Sequence, residues 1–166
     1  MIGRAQNRSI YSILLKADAV TALQGMGSNP VGPPAPGLDE DEGFGVVAAA
    51  DVLVYMGTEV ADIFQGVARV LDPETGIFVF TVETMASGDQ STGAAPRPPA
   101  MDKSGRFLHS DGWIRRELSN AGLRVVRYDD SIKGRLQNSE HGEHVSMALY
   151  AAVRGDLQKG SQRTEL

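Results

Sequence analysis

The stretch from Phe44 to Glu83 limits what this chain can fold into more than any other. It reads FGVVAAADVLVYMG, TEVADIFQGVARVL, DPETG and IFVFTVE in succession. Val46 to Val54 is an apolar run interrupted only by Asp51, and its length and β-branched content predict a strand covered on both faces. Ile77 to Val82 predicts a second strand. Between them Val60, Ile63, Phe64, Val67, Ala68, Val70 and Leu71 recur at helical spacing, with Asp62, Gln65 and Arg69 on the other side. That is the pattern of one amphipathic crossover helix. Thr58 is the expected N-cap, Pro73 cannot continue the helix, and Gly76 lets the chain turn back toward the sheet. Strand, helix and strand in this order make a right-handed parallel unit.

The rest of the chain bounds the size and partners of that unit. At 166 residues, 42% of them apolar, it is one domain with enough material for a core. A net charge of −5, from 16 basic and 21 acidic residues, supplies no basic stripe for a phosphate backbone, so nucleic-acid binding through bulk charge is not expected; small neutral or cationic ligands are compatible with it. Without cysteine there is neither a disulfide nor a thiolate metal site, and the redox compartment is not encoded. No apolar run reaches the length of a membrane span, so no membrane partner is expected. The first 17 residues carry Arg4, Arg8 and Lys16 and no acid, an organelle-targeting composition; the alternative is that Met1 to Ser9 is the tail of a helix. A cytoplasmic location is the default expectation.

Taken in order, IYSILLKADAV predicts a short buried strand at Ile13 to Leu15, ending at Ala17 and Asp18, then a helical turn through Val20, Ala22 and Leu23. Residues 25–43, rich in Gly, Pro and acid, read as a flexible insertion. Residues 86–104 read as a long loop of the kind that is either functional or disordered. Ser110 announces the next helix as N-cap; Trp113, Ile114, Leu118 and Ala121 form its apolar face and Gly122 closes it. Leu123, Val125, Val126 and Tyr128 read as a strand. The stretch from Asp129 to Glu143 has no helical period, so Val145 to Val153 is expected to return antiparallel beside its neighbours. Residues 155–166 form a polar tail expected to be disordered.

The pieces VVAAADVLVYMG, ARVLDPETG, IFVFTVE and SGRFLHSDGWIRRELSNAGL, followed by a closing strand pair, together resemble the C-terminal half of class I S-adenosylmethionine-dependent methyltransferases. The likeness is to the small-molecule type and to methyltransferases attached to tetratricopeptide repeats, and it runs in order from Ile10 to Arg154. It implies a Rossmann-like α/β fold with sheet order 3-2-1-4-5-7-6 and an antiparallel last strand. This chain then supplies strands three to seven, while the first two strands and their glycine-rich loop are absent. Gly25-Met-Gly27 and Gly43-Phe-Gly45 do not follow a strand as that loop does, and read as ordinary loop glycines. Residues 1–154 are accordingly read as a partial methyltransferase domain.

What the resemblance implies about function is S-adenosylmethionine-dependent methyl transfer to a small-molecule acceptor. It matches Asp18 to the acid that bonds the adenine amino group and Ala19 to the residue whose N–H meets the ring; Asp18 reads equally as a turn cap. Ala50, Asp51 and Val52 match the end of the fourth strand, near the methionine part of the donor, and an acid inside an apolar strand is costly unless it sits at a mouth or is hydrogen-bonded. Tyr55 and His109 are the candidate catalytic residues. Tyr55 would line the acceptor pocket, and His109 would orient the acceptor or act as a base from a polar loop above the site; a strand-end tyrosine and a capping or exposed histidine are the plainer readings. Glu140-His-Gly-Glu-His144 has a spacing that a helix would need to hold a metal, but Gly142 and the missing period argue against that helix, so no metal is expected. Met1 to Arg8 resembles the interior end of a family helix, which predicts a truncated domain whose grip on S-adenosylmethionine is in doubt. The alternative is a catalytically inactive binding or scaffold module, whose uncovered strand edge at 46–54 invites pairing with another chain.

Overall fold

The structure, a computed structural model, describes residues 18–26, 43–85, 96–138 and 143–155. The predicted strand at Ile13 to Leu15, most of the 25–43 insertion, the first half of the 86–104 loop and the tail beyond Gly155 lie outside them, as does His141. The described chain forms α1 (Ala19–Met26), β1 (Val46–Ala49), a single 3₁₀ turn (Leu53–Tyr55), α2 (Val60–Val70), β2 (Ile77–Thr84), β3 (Ala100–Met101), β4 (Phe107–His109), α3 (Asp111–Asn120), β5 (Leu123–Asn138) and β6 (Glu143–Arg154). It is an α/β architecture built on one six-stranded sheet. No described helix is long and apolar enough to cross a membrane.

The predicted β-α-β unit is present: β1 pairs parallel with β2 from Val46↔Ile77 to Ala49↔Phe80, with α2 crossing between them. Five of its seven predicted apolar positions, Val60, Ile63, Phe64, Val67 and Val70, are buried on the helix, Leu71 is buried just beyond it, and Ala68 packs against the core. The helix starts one residue later than a Thr58 cap requires. Glu59 takes the cap position without a side-chain bond, and the main-chain carbonyls of Gly57, Thr58 and Glu59 accept the first N–H groups in a tight turn instead. At the other end Asp72 replaces the missing ladder, its Oδ1 accepting from the N–H groups of Glu74 and Thr75 and from the Thr75 hydroxyl. Those bonds favour the ionised form and hold the Asp72 carboxyl below the usual carboxylate range. Gly76 donates its N–H to the Asp72 carbonyl, whose oxygen would lie 2.5 Å from a Cβ at that position, so the return turn has no room for a side chain.

Strand β1 corrects the expectation for 46–54. Pairing stops at Ala49, and the strand is covered on one face only: Val47 and Ala49 pack on the core, whereas Val46 is 64% exposed. The reason is local, because Asp51 adopts φ +52° and turns the chain out of the sheet before Leu53 and Val54 re-enter the core through the 3₁₀ turn. An apolar run therefore did not mean a continuous strand here.

Strand β6 lies between β2 and β5 and is antiparallel to both, giving the order β1-β2-β6-β5. In the numbering of the resembled fold that is 4-5-7-6. One face of β2 presents Phe78, Phe80 and Val82 to the helices. Phe64 of α2 meets Phe78 and Phe80 with ring centroids 6.0 and 5.2 Å apart, and Tyr150 of β6 stacks on Phe80 at 5.0 Å. Ser110 caps α3 as predicted, its hydroxyl accepting from the Trp113 N–H, and the helix buries Trp113, Ile114 and Leu118. Strand β6 matches its predicted range to within two residues, whereas β5 runs well past Tyr128 to Asn138, pairing with β6 through successive register shifts between Asp129 and Asn138.

Candidate functional site

Where β1 leaves β2 at Ala49, another strand takes its place. The loop expected at 86–104 contains a hairpin, β3 and β4, and β4 pairs parallel with the far end of β2 at Glu83↔Leu108 and Thr84↔His109. The carboxyl ends of two parallel strands and the segment 50–56 thus meet the hairpin turn at one place. In open α/β sheets this end of the strands is where ligands bind.

The turn is shaped by Asp102. Its Oδ1 accepts from the N–H groups of Ser104 and Arg106 and from the Ser104 hydroxyl, and its own N–H donates to the Arg106 carbonyl at 2.8 Å. Arg106 is thereby aimed back across β2. Its Nη1 lies 2.9 Å from Glu83 Oε1 and 3.3 Å from Asp51 Oδ1, its Nη2 donates to the Tyr55 hydroxyl at 2.8 Å, and its Cζ stands 5.0 Å from the Tyr55 ring centroid. The hydrogen bond to Glu83, more than any other contact, raises the already high pKa of this guanidinium. Glu83 is 0% exposed, and the ion pair with Arg106 offsets part of the cost of burying its carboxylate. Asp51 is 59% exposed and Tyr55 58%. The main-chain N–H of Asp51 donates to Thr81 Oγ1 at 3.0 Å, which fixes the left-handed turn to β2. A non-glycine residue in that region costs about 1–2 kcal/mol, and aspartate is among the residues that tolerate it best.

The predicted residues fall out unevenly. Asp51 and Tyr55 are brought together on one guanidinium, and Ala50 and Val52 flank Asp51 at the surface. Asp18 and Ala19 begin α1, where Asp18 Oδ1 accepts from the Thr21 N–H at 3.1 Å in the manner of a helix cap. His109 departs from its predicted setting. It stands on β4 rather than in a polar loop, is 0% exposed and lies against Trp113, so it presents nothing to an acceptor. Its Nε2 is 3.1 Å from the Met56 carbonyl; a carbonyl only accepts, so Nε2 carries the hydrogen, and Nδ1 has no partner among the described residues. Burial pushes the imidazole pKa down, against an upward pull from the backbone of Met56, Glu83 and Phe107. No group of three metal-ligating side chains occurs among the described residues.

Sequence reasoning missed Glu83 and Arg106. Glu83 had a signal, an acid closing an apolar strand at its carboxyl end. Arg106 had none, because its role depends on a hairpin hidden in a Gly- and Pro-rich stretch.

No family model matches the sequence, and neither does any curated protein. Solved structures do match in shape. An S-adenosylmethionine-dependent methyltransferase from Clostridium acetobutylicum aligns over 93% of this chain and 70% of its own, with TM-score 0.55 and 12% identity. The chain has the fold of the class I S-adenosylmethionine-dependent methyltransferases. The [4+2]-cyclase SpnF aligns over 93% of this chain and 60% of its own, with TM-score 0.56 and 16% identity. Magnesium protoporphyrin IX methyltransferase from Synechocystis, with bound S-adenosylmethionine, aligns over 93% and 55%, with TM-score 0.52 and 15% identity. The chain thus spans 55% to 70% of the length of these three structures. Within the methyltransferase fold, the described residues account for strands four to seven, and no glycine-rich turn after a strand occurs among them.

Proposed function

We propose that this chain takes part in S-adenosylmethionine-dependent methyl transfer to a small-molecule acceptor, with the described residues forming one wall of the cleft. The observation that carries this reading is the gathering of Asp51, Tyr55, Glu83 and Arg106 at the carboxyl ends of β1 and β2, in a sheet of order 4-5-7-6. Two of the neighbours above are methyltransferases, which supports the donor.

The donor set on this wall fits such a cofactor at its cationic end. Asp51 offers an exposed carboxylate beside the main chain of Ala50 and Val52, where a positively charged sulfur and amino group find a complementary partner. Asp18 and Ala19 are proposed for the adenine end, with the carboxylate of Asp18 as acceptor. When bound, S-adenosylmethionine supplies a methyl group already activated by its sulfonium, so the protein's task is alignment and exclusion of water. In this chain Tyr55 faces the acceptor, Arg106 holds Tyr55 and Asp51 in place, and His109 holds the loop from behind through Met56.

The test is calorimetric titration of the chain with S-adenosylhomocysteine. Micromolar binding, weakened about tenfold in Asp51→Ala as expected for loss of roughly one charge-assisted contact, supports the reading. Absence of binding to the chain in a folded state overturns it.

A second reading, a non-catalytic module, has one observation of its own: Val46, on a strand paired only with β2 among the described residues, is largely exposed. A cyclase among the neighbours makes the same point, that this fold hosts other tasks. Concentration-dependent association that Val46→Lys abolishes, together with no donor binding, would favour it.

A further inference from the structure

Glu83 is fully buried, so it meets no ligand itself, yet it shares one guanidinium with the exposed Asp51. Resting on the placement of Asp51 at the cationic end of the donor, we infer that Glu83 sets the charge preference of that end. By engaging Arg106 from the buried side it leaves the charge of Asp51 for a ligand. The wall then holds a sulfonium more tightly than the neutral sulfide that lacks its methyl group. Glu83 is in this sense a positioning residue, acting through Arg106.

The charges around Nη1 decide the sign. Nη1 lies 2.9 Å from Glu83 Oε1 and 3.3 Å from Asp51 Oδ1, so two carboxylates share one guanidinium and the group of three carries one net negative charge. Nη2 donates to the Tyr55 hydroxyl at 2.8 Å, which holds the guanidinium without adding charge. The two carboxylates are not equivalent. Glu83 is buried and makes the shorter contact, whereas Asp51 makes the longer one and is open to solvent. Arg106 is therefore anchored toward the interior, where a low dielectric strengthens its pair with Glu83. The uncompensated negative charge is the part that faces outward. Were Glu83 neutral, Arg106 and Asp51 would cancel, and an approaching cation would meet a neutral pair. S-adenosylmethionine and S-adenosylhomocysteine differ by one methyl group and the positive charge it confers on sulfur, so a net negative wall favours the first.

Calorimetric titration of the whole chain with each of these two ligands measures the preference directly. At low salt the unmodified chain should bind the sulfonium about fivefold more tightly or better, as one uncompensated charge near a protein surface implies. The ratio should shrink when salt is raised to about 0.5 M, because screening acts on that charge. Glu83→Gln keeps a side-chain oxygen for Nη1 and removes one charge, so the ratio should fall toward unity. Combining it with Arg106→Gln leaves the charge of Asp51 uncompensated again and should restore the ratio, whatever happens to absolute affinity. A purely structural role for Glu83 would move both affinities together and would not be rescued by loss of its partner. Equal binding of the two ligands by the unmodified chain overturns the inference, as does a ratio that Glu83→Gln leaves unchanged or that the double variant leaves at unity. Should Glu83→Gln fail to fold, the ratio and its salt dependence in the unmodified chain still decide. Binding without preference sinks this inference alone, whereas no binding of either ligand sinks the methyl-transfer reading and this inference with it.

Discussion

His109 shows how far a single side chain can depart from what its neighbours in sequence promise. In Arg106-Phe-Leu-His109-Ser it reads as a polar residue near a helix start, yet pairing of Thr84 with His109 across two parallel strands carries it into the core. Nothing in the local composition announces that, since a three-residue strand has too short a pattern to recognise. The burial has a titration consequence whose sign is fixed. Burial lowers the folded-state pKa below the unfolded value of about 6.5, so below that pH the unfolded chain binds a proton that the native chain refuses. Stability should be level above about pH 7 and fall by up to roughly 1.4 kcal/mol per pH unit as the pH drops from about 6.5 toward 5. The carboxylates with lowered pKa, Asp72 and Asp129, lose their contribution only further into acid, so the window belongs to the histidine. Urea denaturation at several pH values checks this; His109→Gln, which keeps a donor for the Met56 carbonyl, should flatten the slope in that window. An unchanged slope in the variant would contradict the assignment.

At the scale of elements, α2 was legible because its apolar positions repeat through three turns and its stop signals are chemically unambiguous. Strand β1 was legible in position but not in length, because hydrophobicity does not report the backbone angle at Asp51. Hairpin β3–β4 was not legible at all: it rests on one aspartate ordering a turn, within a composition that usually means loop. The contact between α1 and α2 lies between these cases. Its closest approach is at Gly66, where a Cβ would stand 2.8 Å from Leu23 Cβ and 3.1 Å from its Cδ1. A helix-interior glycine replaced by alanine ordinarily gains about 1 kcal/mol. Here the clash is with an atom fixed to the α1 backbone, so the whole helix must shift, at a cost of about 1–3 kcal/mol. Gly66→Ala should therefore range from neutral to destabilising by about 2 kcal/mol, and the same change in a Leu23→Gly background should become stabilising. A double-mutant cycle by denaturation measures the coupling, and a gain for Gly66→Ala in the unmodified chain would show that α1 does not sit on α2 in this way.

For the molecule as a whole, the direction of the first two strands was within reach of sequence because a crossover helix sets β1 and β2 parallel, whereas the sheet order, with β6 between β2 and β5, was legible only through the resemblance to the methyltransferase fold. The length of the β5–β6 ribbon was not within reach. Asp129 to Asn138 lacks a sustained alternation, and it is strand because β6 pairs with it, not because its residues prefer to be. Pairing with β2 covers only Met147 to Ala152 of β6, whereas pairing with β5 continues to Asn138↔Glu143 through successive register shifts. The centre of the sheet is therefore held on both sides and packed with Phe64 and Tyr150 in the core, while the outer ribbon, among the described strands, is paired within itself. Two-stranded ribbons are marginally stable in water. Amide exchange should accordingly be slowest at Phe78 to Val82 and Ala148 to Ala152 and faster by at least about a hundredfold, roughly 3 kcal/mol in opening free energy, at 132–138 and 143–146. Equal protection along the whole of β5 and β6 would mean that the ribbon is pinned by a surface beyond these strands, and its protection should then fall as the chain is diluted if that surface belongs to a second copy.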